Sequence, residues 1–364
     1  MAESNATILI PDISGFTEFM TRTELSHGSY AINVLIDAIV NAVGEEYDVS
    51  EIEGDAVLLI RKGPSPSKKE IQDICLKIFN EFHFRRKWMQ RFAVCPCGAC
   101  LAISNLTLKF VVHRGPLAEI KVGRFVKQSG PEMIVAHRLL KNSIDNHEYL
   151  LMSDKALQQA IDTTHEVELE WTSSSDEYAS IGKVGYQFAL LNYARNNVPE
   201  PPELPTYVTD DTPFLQIAIA ANFRDAYMVI MDIPGRPGWM PSLQKVEQEE
   251  PIVYVGSVHH CTFENCQVDV SPLRMTSSDD SILYAESCRN EAMNLSFVYE
   301  FVFRQVDEFN CTVAIRSMNG GSSSATEEVS TTLLPGVQQV AEKLKAHCEE
   351  ERVMAQTRIG RSVY

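Results

Sequence analysis

The chain has 364 residues, 45% of them hydrophobic and 22% charged, which is the profile of a soluble globular protein with room for two domains of ordinary size. A net charge of −17 argues against sequence-independent binding to nucleic acid and against an anionic membrane surface, yet leaves room for an anionic ligand held through a divalent metal. No apolar run reaches the length of a membrane span and the start, MAESNAT, lacks a signal peptide's basic and apolar segments, so a cytoplasmic protein is expected.

In chain order, Ile8–Ile10 reads as a short buried strand that ends at Pro11 and Asp12. Ile32, Leu35, Ile36, Ile39, Val40 and Val43 recur at helical spacing and predict an amphipathic helix. A hairpin follows, with strands over Tyr47–Ile52 and Ala56–Ile60 around a turn at Glu53-Gly54-Asp55. Pro64–Ser67 reads as a loop and helix cap, and Ile71, Ile74, Cys75, Ile78, Phe79 and Phe82 mark a second helix. Leu106–His113 predicts a strand, Met133–Leu140 a helix entered through Ser129-Gly130-Pro131, and Ser153 opens a short helix. Strands around Tyr186–Leu191 close an α/β unit with a mixed sheet.

The stretch N-N-V-P-E-P-P-E-L-P-T-Y at 196–207 holds four prolines and two glutamates, which suits neither a helix nor a central strand. It divides the chain into a domain over 1–197, a linker over 198–207 and a domain over 208–364. The second half predicts a strand at Phe214–Ala220 and a helix from Asn222 through Ile230. Alternating segments follow at Ile252–Val258, Ile282–Cys288, Leu295–Phe303 and Cys311–Arg316. Gly320–Ser324 reads as a loop. Val337, Val340, Ala341, Leu344 and Cys348 form the apolar face of a late helix. This is an α+β order in which a sheet curls round the last helix.

Asp12 is costly to bury unless it is paired or metal-bound. Its best partner is Asp55, in the turn of E-I-E-G-D-A-V. Both sit at strand ends beside a glycine, where backbone can approach a ligand closely. Converging carboxylates repel, and a divalent cation removes the conflict; hard oxygen ligands suit Mg²⁺ or Mn²⁺. An Asx turn or helix cap at Asp12 and ordinary turn chemistry at Asp55 is the competing reading.

Four motifs in order, D-I-S-G-F-T, E-I-E-G-D-A-V, F-V-V-H-R-G-P and S-G-P-E-M-I-V-A-H-R-L, resemble the class III nucleotidyl cyclase domain over about residues 6–193. More closely, this half resembles a bacterial family of unassigned function related to those cyclases. The resemblance implies the ferredoxin-like cyclase fold. It also implies conversion of a nucleoside triphosphate to a 3′,5′-cyclic nucleotide by two divalent ions, at the interface of a homodimer. Asp12 and Asp55 match the metal-binding aspartates, and Ile13 matches the residue whose carbonyl also touches metal. Gly15 and Phe16 match the turn around the triphosphate. Arg138 matches the arginine that offsets charge on the α-phosphate.

Departures are visible. Glu51 stands where adenylyl cyclases have a base-reading lysine, which is the guanylyl cyclase choice. Lys127 replaces the usual aspartate or cysteine at the second base-reading position. Ile134 stands where an asparagine orients the ribose, and it cannot hydrogen-bond. The triphosphate lysine is absent in register, with Lys183 one position away as its substitute. Losing one positioning group commonly slows an enzyme by roughly 10²–10³ without abolishing turnover. A degenerate nucleotide- or ligand-binding sensor without turnover is the alternative.

Nine cysteines, an odd number, do not read as a disulfide framework. Cys95, Cys97 and Cys100 form the densest group, a candidate zinc or thiol cluster with His83, Cys75 or His113 as fourth ligand, against simple burial as small apolar residues. His113-Arg114-Gly115 reads as a strand end. His259, His260, Cys261 and Cys266 are weaker metal candidates, because neighbours on a strand point to opposite faces. Residues of about 210–355, including Gly235-Arg236-Pro237-Gly238-Trp239 after the first helix, resemble the START-like helix-grip superfamily. That implies an apolar ligand in a pocket lined by Met228, Met231, Trp239, Phe297, Tyr299 and Phe301, though such a stripe is more often simply core.

Overall fold

The computed structural model describes residues 4–160, 169–204, 215–292, 294–318 and 336–352. The loop expected at 320–324 and the linker's end at 205–207 lie outside them. The chain divides into two compact units, 1–91 with 97–201 and 92–96 with 202–364. The segment 92–96, expected within the first domain, therefore groups with the second.

The first unit contains strands β1 (Ser4–Ser14), β2 (Asp48–Glu53), β3 (Ala56–Lys62), β4 (Thr107–Val122), β5 (Phe125–Ser129), β6 (Tyr149–Ser153), β7 (Thr172–Tyr178) and β8 (Gly182–Leu190). Its helices are α1 (Phe16–Arg22), α2 (Leu25–Val43), α3 (Lys68–Phe92), α4 (Gly98–Ala102), α5 (Pro131–Leu139) and α6 (Asp154–Gln159). The sheet order is β2-β3-β1-β4-β6-β8-β7, with β5 pairing to β4. Among the described residues only β4 and β6 pair in parallel, so this is a mixed α/β sheet.

Local signals explain most boundaries. Ser67 and Glu70 form a reciprocal cap on α3: Glu70 N–H donates to Ser67 Oγ at 3.1 Å, and Ser67 N–H donates to Glu70 Oε2 at 2.7 Å. That network holds the Glu70 carboxyl below its usual range, chiefly through the Ser67 amide. Ser153 Oγ accepts from Ala156 N–H at 3.2 Å and opens α6.

The strand ending at Pro11 and Asp12 needs correction, because β1 runs on to Ser14. Its pairing with β4 is continuous across Pro11. Pairing with β3 pauses after Leu9↔Leu59 and resumes at Asp12↔Ala56, as suits a residue with no N–H to give. His113 is likewise no strand end, since β4 continues to Val122.

In the second unit, β9 (Leu215–Ile219) precedes α7 (Phe223–Met231), and β10 (Leu243–Glu247), β11 (His259–Phe263), β12 (Gln267–Ser277), β13 (Ser281–Asn290), β14 (Leu295–Asp307) and β15 (Asn310–Met318) follow. They form an antiparallel sheet ordered β10-β11-β12-β13-β14-β15-β9. Residues 336–352 are helical. Asn222 Oδ1 accepts from Arg224 N–H at 2.9 Å and caps α7 as its residue type suggests. Phe223, Tyr227 and Ile230 of α7, and Val337, Ala341 and Leu344 of the last helix, pack with Ile282, Tyr284, Phe301 and Phe303 of the sheet.

The segment Ile252–Val258 is not a strand in this sheet. Ile252, Val253 and Tyr254 are buried, and Val94 N–H donates to Val253 O at 3.0 Å while Val255 N–H donates to Phe92 O at 2.8 Å. Burial here goes with pairing to the short 92–94 segment, so an apolar run does not by itself make a sheet strand.

Candidate functional site

Strand alternation builds the site. Ala6, Ile8 and Ile10 of β1 pack with Met133 and Ala136 of α5, and Asp12 is the next residue on that face. Directly across the ladder from Asp12 stand Ala56 on β3 and Lys109 on β4. Asp55 immediately precedes Ala56, and its carbonyl accepts from Ile13 N–H at 2.9 Å. The structure therefore brings Asp12, Ile13 and Asp55 together at the end of three adjacent strands.

The electrostatics match that geometry. Burial first, and the neighbouring Asp12 second, raise the Asp55 carboxyl above its ordinary range. Lys109 Nζ lies 3.0 Å from Asp12 Oδ2. Burial works most strongly against the Lys109 charge, but Asp12, Tyr149 and Asp55 together hold the ammonium above its usual range. The sequence reading missed Lys109. Its signal was a lone lysine inside the apolar run of β4, directly opposed to an aspartate that is itself out of place.

Asp12, Ile13, Gly15, Phe16, Asp55 and Lys109 line one cleft of about 680 Å³. Gly15 turns the chain with φ +87°, where any other side chain is strained, and a Cβ there would also crowd Asn105 O at 3.3 Å. Phe16 reaches across to the hairpin: its ring is 3.8 Å from where a Cβ on Gly54 would be.

Arg138, Glu51, Lys127 and Lys183 do not line that cleft. Glu51 and Lys127 bind one another, with Lys127 Nζ 2.6 Å from Glu51 Oε2. Lys127 also lies 3.7 Å from Glu53, and His137, the neighbour of Arg138, lies 4.0 Å from Glu53. Glu51, Lys127 and the Arg138 turn of α5 thus form a second group beside the hairpin. Arg138 and Lys183 are exposed, and Ile134 is 56% exposed on α5.

His113 is structural. Its Nε2 lies 2.6 Å from Glu132 Oε2 and its Nδ1 2.7 Å from Ser153 Oγ, and a Cβ on Gly115 would stand 2.5 Å from Glu132 Cγ. His83 is fully buried with Nε2 3.1 Å from Glu148 Oε1. Cys75 is buried and its thiol pushed well up by that burial. None of these is the fourth partner of the cysteine cluster; His27 is, with Nδ1 3.1 Å from Cys97 Sγ. On β11, His259 and Cys261 are buried while His260 is exposed and paired with Asp269 at 2.7 Å, and among the described residues no metal cluster forms there.

In the second unit the expected pocket residues separate. Phe297, Tyr299 and Phe301 line a cavity of about 330 Å³ with Cys288, Val337 and Val340, and Arg236 and Glu286 face it too. Met228 and Trp239 line a different cleft of about 730 Å³, and Met231 belongs to the core. Arg236 and Glu286 are buried with Nη2 and Oε2 2.9 Å apart, and Tyr284 O–H also donates to Glu286 Oε2 at 2.9 Å.

No helix among the described residues is long and apolar enough to cross a membrane. A family model described as "Protein of unknown function (DUF2652)" matches residues 32–149. The "Uncharacterized protein Rv2561/Rv2562" of Mycobacterium tuberculosis is 33% identical over 124 residues, which are 34% of this chain and 58% of the relative, so the chain spans less than two thirds of that relative's length. Among solved structures, the chain is similar to the guanylyl cyclase Cya2, at 14% identity over 52% of this chain and 92% of that one, with a TM-score of 0.38. It is similar to the adenylyl cyclase CyaB from P. aeruginosa at 13% identity, over 52% and 95% of the two chains, with a TM-score of 0.35. For the guanylyl cyclase domain of the RhoGC fusion protein from the aquatic fungus Blastocladiella emersonii the values are 15% identity, 52% and 98% coverage and a TM-score of 0.35.

Proposed function

We propose that the first unit is a nucleotidyl cyclase-like module that converts a nucleoside triphosphate to a 3′,5′-cyclic nucleotide and pyrophosphate at the interface of a homodimer. The observation that carries this reading is the convergence of Asp12 and Asp55, beside Lys109, in one cleft. A carboxylate pair of buried Asp12 and half-buried Asp55, with the Asp55 carboxyl raised, is a charge conflict that Mg²⁺ or Mn²⁺ relieves, so the donor set fits hard divalent ions. Bound there, such ions activate a hydroxyl and offset charge on the leaving pyrophosphate.

The chain's own residues supply the rest. Asp12, Asp55 and the Ile13 carbonyl would hold the cations. Lys109, 3.0 Å from Asp12 Oδ2, is placed to offset negative charge in the cleft, that of a bound phosphate included. Gly15 and Phe16 wall the cleft. Arg138, exposed and outside this cleft, acts from the second copy on the α-phosphate, with Glu51 and Lys127 grouped near it to meet the base. Lys183 is the candidate for the triphosphate. In the reaction the ribose 3′-oxygen bonds to the α-phosphorus and loses its proton to solvent as the bond to the β-bridging oxygen breaks.

A second reading, a nucleotide-binding sensor without turnover, is favoured by two observations. Ile134 presents an exposed apolar side chain where a ribose partner is needed, and Glu51 is already engaged by Lys127 at 2.6 Å.

For the second unit we propose a helix-grip module that takes an apolar molecule. The cavity lined by Phe297, Tyr299 and Phe301 under the last helix supports it, and the Arg236–Glu286 pair offers one polar end. Ligand there would act as an input that shifts the dimer interface.

The test is incubation of the purified protein with each of the four nucleoside triphosphates and Mn²⁺, followed by mass spectrometry. A cyclic product that Asp55→Asn abolishes supports the enzyme. Bound nucleotide without product supports the sensor, and no bound nucleotide contradicts both.

A further inference from the structure

Within the first unit, the Cys97–Cys100 loop and the first turn of α2 place two thiols and one imidazole together. The ligating atoms of His27, Cys97 and Cys100 all lie within 4.8 Å of one another. We propose that these three side chains bind one structural zinc ion, with Cys95, two positions before Cys97 in the sequence, as its fourth ligand.

The geometry suits that ion. Zinc takes four S and N ligands tetrahedrally at about 2.3 Å for sulfur and about 2.0–2.1 Å for nitrogen, which sets the ligands roughly 3.4–3.8 Å apart. The observed spread needs only small side-chain rotations to close on a metal. Three cysteines and a histidine are a soft set that selects zinc over Mg²⁺ or Mn²⁺, so this site is chemically distinct from the carboxylate pair.

The loop is also held in place independently of the thiols. Glu24 accepts from Gly98 N–H and Ala99 N–H, both at 3.3 Å, and Leu101 N–H donates to Cys97 O at 3.1 Å. Glu24 holds the N-cap position of α2, its carboxylate bonded to the loop and not to the helix, and stands one turn before His27. The same carboxylate that seats the cysteine loop therefore presents the imidazole to it. None of the cysteines is in a disulfide, although the Cys97 and Cys100 thiols lie within reach of one another. Zinc bound here would tie the loop, whose Gly98 and Ala102 line the Asp12 cleft, to the helix start.

Zinc content of the full chain, purified under reducing conditions and measured by elemental mass spectrometry, tests the proposal. About one zinc per chain is expected. A mercurial thiol reagent releases it, and Co²⁺ in its place gives the intense visible bands of a tetrahedral thiolate site. Cys97→Ser and His27→Gln lower the zinc content several-fold, whereas Cys75→Ser leaves it unchanged. His27→Gln keeps all three thiols, so a loss there separates lost ligation from lost cysteines. Zinc far below one equivalent after refolding with Zn²⁺, a full complement retained by His27→Gln, or a disulfide among Cys95, Cys97 and Cys100 under reducing conditions overturns it.

Discussion

Lys127 Nζ stands 2.6 Å from Glu51 Oε2, so the two residues that the proposed function assigns to the base bind one another. The Glu51 carboxylate raises the Lys127 ammonium above its usual range, first through that hydrogen bond. On the proposed function, Lys127 thereby masks an acceptor that guanine would use. Lys127→Ala is expected to raise the preference for GTP over ATP by about tenfold, the equivalent of one charged hydrogen bond regained. Competition between fluorescent GTP and ATP analogues in Mn²⁺ measures it. An unchanged ratio means that Glu51 does not meet the base.

The Asp12–Asp55 pair makes a prediction of opposite signs. Asp55 has a raised carboxyl, through burial and then Asp12. The folded state therefore holds its proton more tightly than the unfolded chain, and the stability this gives at low pH is lost as pH rises from the unfolded pKa through the folded one. At neutral pH the ionised pair costs stability, so Asp55→Asn raises the Tm of the metal-free protein. Mn²⁺ raises the Tm of the wild type and not of Asp55→Asn. Calorimetry with and without Mn²⁺ reads both, and a lower Tm for metal-free Asp55→Asn contradicts the repulsion.

His83 predicts acid sensitivity. Burial lowers its pKa to about 4, against partial compensation by Glu148. A depressed histidine means the unfolded chain binds the proton first, so the contribution is intact above about pH 6.5 and falls away as pH drops towards 4. The loss over that range is of the order of 3 kcal/mol. His83→Gln shows a smaller drop in urea-unfolding free energy between pH 7 and pH 5 than the wild type. Parallel drops in the two proteins refute the assignment.

Arg236 and Glu286 are a buried, two-pronged pair. Removing one partner strands a charge, which commonly costs about 3–5 kcal/mol. Arg236→Met is expected to lower the stability of the full chain by about that much, and Arg236→Met with Glu286→Leu to recover most of it. Denaturant unfolding of the two variants decides. Equal losses in single and double variants show that the pair matters through shape and not charge.

Local chemistry was the legible part. The Ser67 cap, the Gly54 hairpin and the periodic faces of α2 and α3 stand in the chain as they stand in the structure, because each is fixed within a few residues. What needed the fold was everything set by register. Lys109 acquires meaning only when β1 and β4 pair it with Asp12. His27 precedes Cys97 by 70 positions and meets it where Glu24, just before α2, accepts from the backbone of the cysteine loop. Strand β12 escaped notice because Pro272 interrupts its alternation, at the point where its pairing with β13 shifts register.

Both functional readings require that Asp12 and Asp55 hold divalent cations beside a nucleotide. Electron paramagnetic resonance of Mn²⁺, titrated into the protein with a non-hydrolysable triphosphate analogue, tests that claim most directly. The prediction is about two protein-bound Mn²⁺ per site in the wild type, and loss of that binding in Asp12→Asn and in Asp55→Asn. Mn²⁺ binding of the same stoichiometry and affinity in all three proteins, or none in the wild type, would contradict it.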